Sequence, residues 1–189
     1  MGTYNTVASI PLLSPGGRPL PHQSSPIEDH VVLEIVTESP DETREVGAIM
    51  ARNAAPGHVY LLAGDLGAGK TCLTQGILRG LGGNEYARSP TFVLTAEYEA
   101  RLRLYHFDLY RLESGAELLD LGIDEYVEAG GVCVVEWADR FRKWLPPDAL
   151  DVSISSLGES GRRFVFSGPR TIYGGLMRKL SSTMSGAPT

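Results

Sequence analysis

The stretch GDLGAGKT sets Gly64, Gly69, Lys70 and Thr71 at the spacing Gly-x4-Gly-Lys-Thr. This is the P-loop pattern, and each residue type in it has a reason. Glycines let backbone N–H groups converge on a phosphate without interference from Cβ, and a helix starting near Lys70 adds about half a positive charge at its N-terminus. Lys70 brings a mobile ammonium to the β- and γ-phosphates, and the Thr71 hydroxyl is a hard oxygen ligand suited to Mg²⁺. The run Gly64, Asp65, Leu66, Gly67, Ala68, Gly69, Lys70 and Thr71 is thus expected to hold the phosphates of a nucleoside triphosphate. The alternative, a glycine turn that merely joins a strand to a helix, is disfavoured because the strand before and the helix after that the motif requires are both present.

A phosphate loop needs a second carboxylate for the metal or its water. Glu136 ends the apolar run VCVV, and strand ends in an open α/β sheet point into the ligand crevice; otherwise it is an exposed acid at a strand end. Asp108, between Phe107 and Leu109, is costly to bury unless paired or near a metal; its other reading is a pair with Arg111 on a solvated face. GTPases of the Ras type read guanine with Asn-Lys-x-Asp and use Asp-x-x-Gly, and the chain has neither, which favours ATP.

The elements that must position these residues read as α/β. HVVLEIVT is a β-branched run, and SPDE is a capping box with Ser39 as N-cap, Pro40 at the first helical position and Glu42 three residues after the cap. VYLLAG is a strand before the loop, and a helix through KTCLTQGILRGL is stopped by Gly82 and Gly83. TFVLTAEYEA and RLRLYHFDLYRL read as two antiparallel strands, GAELLDLG and IDEYVEA as short helices, and GVCVVEW as a strand buried on both faces. ALDVSISS and RRFVFSG close the sheet, and IYGGLMRKLSS forms a last helix. The fold expected is a P-loop NTPase-like three-layer sandwich, a central mixed sheet flanked by helices. Residues 1–28, rich in Pro, Ser and Gly, read as a flexible leader, residues 29–180 as one P-loop ATPase domain and 181–189 as a flexible tail.

At 189 residues and 42% hydrophobic content the chain can bury one substantial core. The net charge of −6 argues against a broad phosphate-neutralising surface, so any RNA would be met only indirectly, through a partner. Cys72 and Cys133 make neither a disulfide framework nor a zinc motif, which fits a cytoplasmic protein. No apolar run approaches the roughly 20 residues a membrane helix needs, so no membrane is expected as a partner. The start MGTYNT matches the myristoylation pattern at Gly2, a pattern short enough to arise by chance.

Five stretches in register, GDLGAGKT, SPTF, HFDLYRL, LGIDEY and VEW, resemble the TsaE family of small bacterial P-loop ATPases over about residues 31 to 168. The resemblance implies an ATPase that supports a complex of the TsaB and TsaD proteins in making threonylcarbamoyladenosine beside the anticodon of tRNA. It implies that Lys70 and the loop bind ATP phosphates, that Thr71 and Glu136 are the Mg²⁺ ligands, and that Asp108 is the catalytically important aspartate alongside Lys70. Thr91 in SPTF matches a switch residue near the γ-phosphate, or else is a β-branched residue opening a strand after Pro90. Trp137 is linked to nucleotide binding, or is a rim or core aromatic. Thr43 and Arg162 match regions near the base and phosphates. The leader is longer than a compact member needs, and Cys72 stands where Thr or Ser is common. Its place at a helix N-terminus is a setting that can lower a thiol pKa, but the favoured reading is a small buried apolar residue, since free cysteines are usually buried. A small-molecule kinase and a nucleotide-binding adaptor with incidental hydrolysis are the competing functions.

Overall fold

The computed structural model describes residues 29–184. The leader at 1–28, with its Gly2 pattern, lies outside the described residues, as do residues 185–189 of the tail. In chain order the elements are β1 (His30–Thr37), α1 (Pro40–Arg52), β2 (Val59–Ala63), α2 (Lys70–Gly80), β3 (Thr95–Tyr98) and β4 (Leu104–Asp108). Then come α3 (Gly115–Asp120), α4 (Ile123–Glu128), β5 (Val132–Glu136), a 3-10 helix (Ala138–Trp144), β6 (Leu150–Leu157), β7 (Gly161–Pro169) and α5 (Arg170–Met184). Residues 181–184, read from sequence as the start of the tail, are instead the end of α5.

One seven-stranded sheet runs β1-β7-β6-β2-β5-β4-β3. Its middle, β6-β2-β5-β4, is parallel, and β1, β7 and β3 join antiparallel, so the sheet is mixed as expected. The parallel strands are covered on both faces, which is why β2 and β5 read as unbroken apolar runs. Alternate residues of β2 go to opposite cores: Tyr60 and Leu62 face α1, α2 and α5, whereas Val59 and Leu61 face α3, α4 and the 3-10 helix.

The N-cap holds: Ser39 Oγ accepts the Glu42 N–H at 3.2 Å. The Glu42 carboxylate accepts from the N–H of Glu38, one residue earlier than the standard box, at 2.9 Å. TFV is not strand: Val93 and Leu94 N–H groups both donate back to Pro90 O, so Thr91 sits in a turn and β3 starts at Thr95. This removes the reading of Thr91 as a strand opener.

Helix α2, which carries the end of the Gly64–Thr71 loop, is held against α1 by an unusually close backbone approach. A Cβ on Gly76 would lie 2.1 Å from Arg44 O, and one on Gly47 would lie 2.4 Å from Leu73 O. Glycine is the residue that lets two helix backbones meet there.

Candidate nucleotide-binding site

Three parallel strands deliver the site. Leu62 of β2 and Asp108 of β4 are both in register with Glu136 of β5, so the loop after β2 and the two carboxylates emerge at one carboxyl edge of the sheet. That is where open α/β sheets bind ligands. The loop leaves β2 through Gly64, whose φ of 147° belongs to glycine and whose Cβ, were there one, would lie 2.3 Å from Ile154 O. Asp65, Leu66 and Gly67 are exposed at the loop tip, Ala68 is buried beneath it, and Gly69 caps α2 in the left-handed region.

Lys70 is buried, and its Nζ donates to Gly64 O at 2.6 Å and Asp65 O at 2.9 Å. The same ammonium lies 3.6 Å from the centre of the Trp137 ring, a cation–π contact. Burial pushes its pKa below the usual lysine range, while Glu136 and Asp108 pull it back up. Trp137 follows the last residue of β5 with φ 62°, a rare backbone for a bulky residue, and its ring packs 4.8 Å from Tyr110.

Glu136 is buried, not the exposed acid of the alternative reading. Thr71 Oγ1 stands 3.0 Å from Glu136 Oε1 and 3.3 Å from Oε2, and His106 Nε2 lies 2.9 Å from Oε1. Asp108 is likewise buried and does not pair with Arg111, whose guanidinium lies over Phe92. Instead the Ser89 and Thr91 hydroxyls, 2.7 Å apart, both reach Asp108 Oδ2, Thr91 at 2.8 Å, and Oδ1 accepts the Tyr110 N–H at 3.0 Å. Lys70, Thr71, Thr91, Asp108, Glu136 and Trp137 line one cavity of about 390 Å³.

A second cavity of about 330 Å³ lies across Gly67 and Gly69 and holds the other two residues carried over from the resemblance, Thr43 and Arg162, with Arg44 and Tyr86. Thr43 is buried, its hydroxyl 3.0 Å from that of Thr37. Arg162, on β7, donates to Gly67 O at 3.3 Å and to Gly161 O at 2.7 Å, so it braces the loop. Cys72 borders both cavities, half-buried, its thiol donating to Pro40 O at 3.4 Å. Burial pushes this thiol's pKa up against the opposing pull of Arg44 and Arg162, which agrees with the favoured small-residue reading and not with a lowered thiol. Desolvation outweighs the positive charges.

Among the described residues no three His, Cys, Asp or Glu side chains gather into a metal cage. Thr71 and Glu136 offer a hydroxyl and a carboxylate only, a hard-oxygen set that suits Mg²⁺ completed by phosphate and water rather than a structural transition metal. Two site residues escaped the sequence reading. His106 lies two positions before Asp108 in a strand, hence on the same face, and Ser89 opens the SPTF stretch. Alternation along β4 was the available signal for the first; the turn that brings Ser89 to Asp108 had none.

Comparison with known proteins identifies the family and the fold. The family model described as threonylcarbamoyl adenosine biosynthesis protein TsaE matches residues 37–164. The tRNA threonylcarbamoyladenosine biosynthesis protein TsaE of Bacillus subtilis (strain 168) is 42% identical over 146 residues, 77% of this chain and 91% of the relative. Its namesake in Treponema pallidum (strain Nichols) is 41% identical over 130 residues, 69% of this chain and 96% of the relative. The crystal structure of B. subtilis YdiB superposes with a TM-score of 0.68 at 37% identity, covering 82% of this chain and 97% of that one. With five stretches in register, a shared fold and a family model spanning most of the domain, this chain belongs to the TsaE family.

Proposed function

We propose that this protein binds and hydrolyses ATP with Mg²⁺ and thereby supports a TsaB–TsaD complex in forming threonylcarbamoyladenosine on tRNA. The observation that carries the reading is the convergence of Lys70, Thr71 and Glu136 at the mouth of one cavity, with Thr71 Oγ1 3.0 Å from the Glu136 carboxylate. An ammonium, a helix N-terminus and a hydroxyl–carboxylate pair are the groups a triphosphate and its cation require.

Lys70 moves from the Gly64 and Asp65 carbonyls to the phosphates, and Trp137 keeps its ammonium shielded from water. Thr71 donates its hydrogen to Glu136, which leaves its oxygen lone pairs for a cation. Bound Mg²⁺ supplies charge neutralisation at the phosphate oxygens. Asp108 orients the attacking water or fixes the Ser89–Thr91 turn as a responsive segment. The second cavity, across Gly67 and Gly69, receives the base and ribose beside Arg162 and Thr43. The proposed TsaB and TsaD partners hold the tRNA, and the reaction places the protein in the cytoplasm.

The test is an in vitro modification assay with TsaB, TsaD, threonylcarbamoyl-adenylate and tRNA. Wild type is expected to sustain repeated turnovers and to release inorganic phosphate. Lys70→Ala, folded by circular dichroism, is expected to do neither and to lose ATP binding by isothermal titration. Transfer of the γ-phosphate to a small acceptor would replace the reading with that of a kinase. Full modification by a hydrolysis-deficient variant would reduce the protein to an adaptor.

A further inference from the structure

His106 is fully buried in β4, lines neither cavity beside the loop and has a nitrogen, Nδ1, with no hydrogen-bond partner among the described residues. A buried polar atom without a partner costs about 1–3 kcal/mol. An apolar residue would fit a strand whose neighbours Leu104 and Phe107 both belong to the cores. What the imidazole gains is one contact, Nε2 to Glu136 Oε1 at 2.9 Å. A carboxylate only accepts, so Nε2 is the nitrogen that carries the hydrogen in this contact.

That contact does something Thr71 cannot. Thr71 Oγ1 reaches both oxygens of Glu136, at 3.0 and 3.3 Å, so the hydroxyl by itself leaves the carboxylate nearly free to exchange them. His106 touches Oε1 alone and breaks the symmetry. The register makes this possible: His106 pairs with Val134 and Asp108 with Glu136, so the imidazole stands one pleat deeper than Glu136 and reaches it along the sheet face.

We propose that His106 is the positioning residue of the cation site, fixing Glu136 through Oε1 so that Oε2 is the oxygen offered to a divalent cation or its water. This rests on the reading of Glu136 as the carboxylate that serves Mg²⁺. Hydrogen-bond partners of metal-binding carboxylates characteristically set metal affinity by 10–100-fold.

Titrating a non-hydrolysable ATP analogue into the full chain, once with Mg²⁺ and once with EDTA, tests it. In His106→Met the ratio of the two affinities is expected to fall about tenfold, at the lower end of that range, with the EDTA affinity unchanged because the loop is intact. His106→Gln, whose side-chain amide restores a donor near the Nε2 position, is expected to recover most of the ratio. A wild-type ratio in a folded His106→Met, where Glu136→Gln loses it, would overturn the role of His106 and leave the cation reading standing. A wild-type ratio in Glu136→Gln, or no Mg²⁺ effect at all, would instead sink the cation reading. Should His106→Met not fold, nitrogen-15 NMR of the wild-type imidazoles decides, since the chain has only four histidines to assign. Hydrogen on Nε2 of His106 is expected, and hydrogen on Nδ1 with a bare Nε2 would overturn the proposal.

Discussion

Asp108 and Glu136 stand side by side in the β4–β5 register yet have different partners, and this separates their roles. Glu136 is joined to Thr71 and His106, Asp108 to Ser89, Thr91 and the Tyr110 amide. Glu136→Gln is therefore expected to weaken nucleotide binding only when Mg²⁺ is present, because a hard anionic ligand is lost. Asp108→Asn is expected to keep binding and lose turnover, the pattern of an interaction made mainly in the transition state. Calorimetry and phosphate release on both variants check this; equal binding losses would collapse the distinction. Away from the site, burial pushes the Cys133 thiol up to about 12. Its folded pKa lies above the unfolded one, so the contribution is intact below about pH 9 and is lost as pH rises, because the unfolded chain releases the proton first. Between pH 8 and 10 this group alone is expected to remove on the order of 1 kcal/mol of stability. Urea unfolding of wild type and Cys133→Ala at both pH values isolates the thiol, and the wild-type loss must exceed the variant's by about that amount.

Helices α1 and α2 set where the loop points, and their seam depends on the closeness of Gly76 to the Arg44 carbonyl. Gly76→Ala forces the backbones apart or bends α2, with an expected loss of about 3 kcal/mol and a Tm lower by roughly 6–12 °C for a domain of this size. Gly175, on the exposed side of α5, has nothing within 4 Å of its would-be Cβ. Gly175→Ala is expected to leave Tm unchanged or raise it slightly, since alanine is the better helix former by about 1 kcal/mol. Thermal melts of the two variants compare close approach with propensity directly. A Gly76→Ala protein as stable as wild type would show that the seam relaxes without cost. In a folded variant, displacement of α2 is also expected to weaken ATP binding, because Lys70 and Thr71 begin that helix.

At the scale of the molecule, four of the arginines that follow the loop are each taken up by a protein carboxylate or carbonyl among the described residues. Arg103 is paired with Glu97 and Glu99, Arg163 with Glu34, Arg162 braces the loop and Arg101 donates to Ala51 O. With a net charge of −6, the isolated chain is expected to bind free tRNA negligibly at physiological salt, while associating with TsaB and TsaD. Filter binding over a salt series and co-purification check this, and tight salt-sensitive tRNA binding by the chain alone would reject the indirect route. The sequence by itself determined what local chemistry dictates: the Gly-x4-Gly-Lys-Thr spacing, the Ser39 cap, the buried apolar runs of β2 and β5 and the short helices after β4. Each depends on residues within a turn or a strand of one another. The tertiary structure alone decided what depends on register and packing between distant segments. Of the two readings of Thr91 it removed the strand opener and made it a turn residue at Asp108, and it pushed the Cys72 thiol up by burial. It extended α5 to Met184 and set His106 beneath Glu136, thirty residues away. Side-chain partners across a sheet follow from strand order and pleat, and neither is written in the spacing of any single segment.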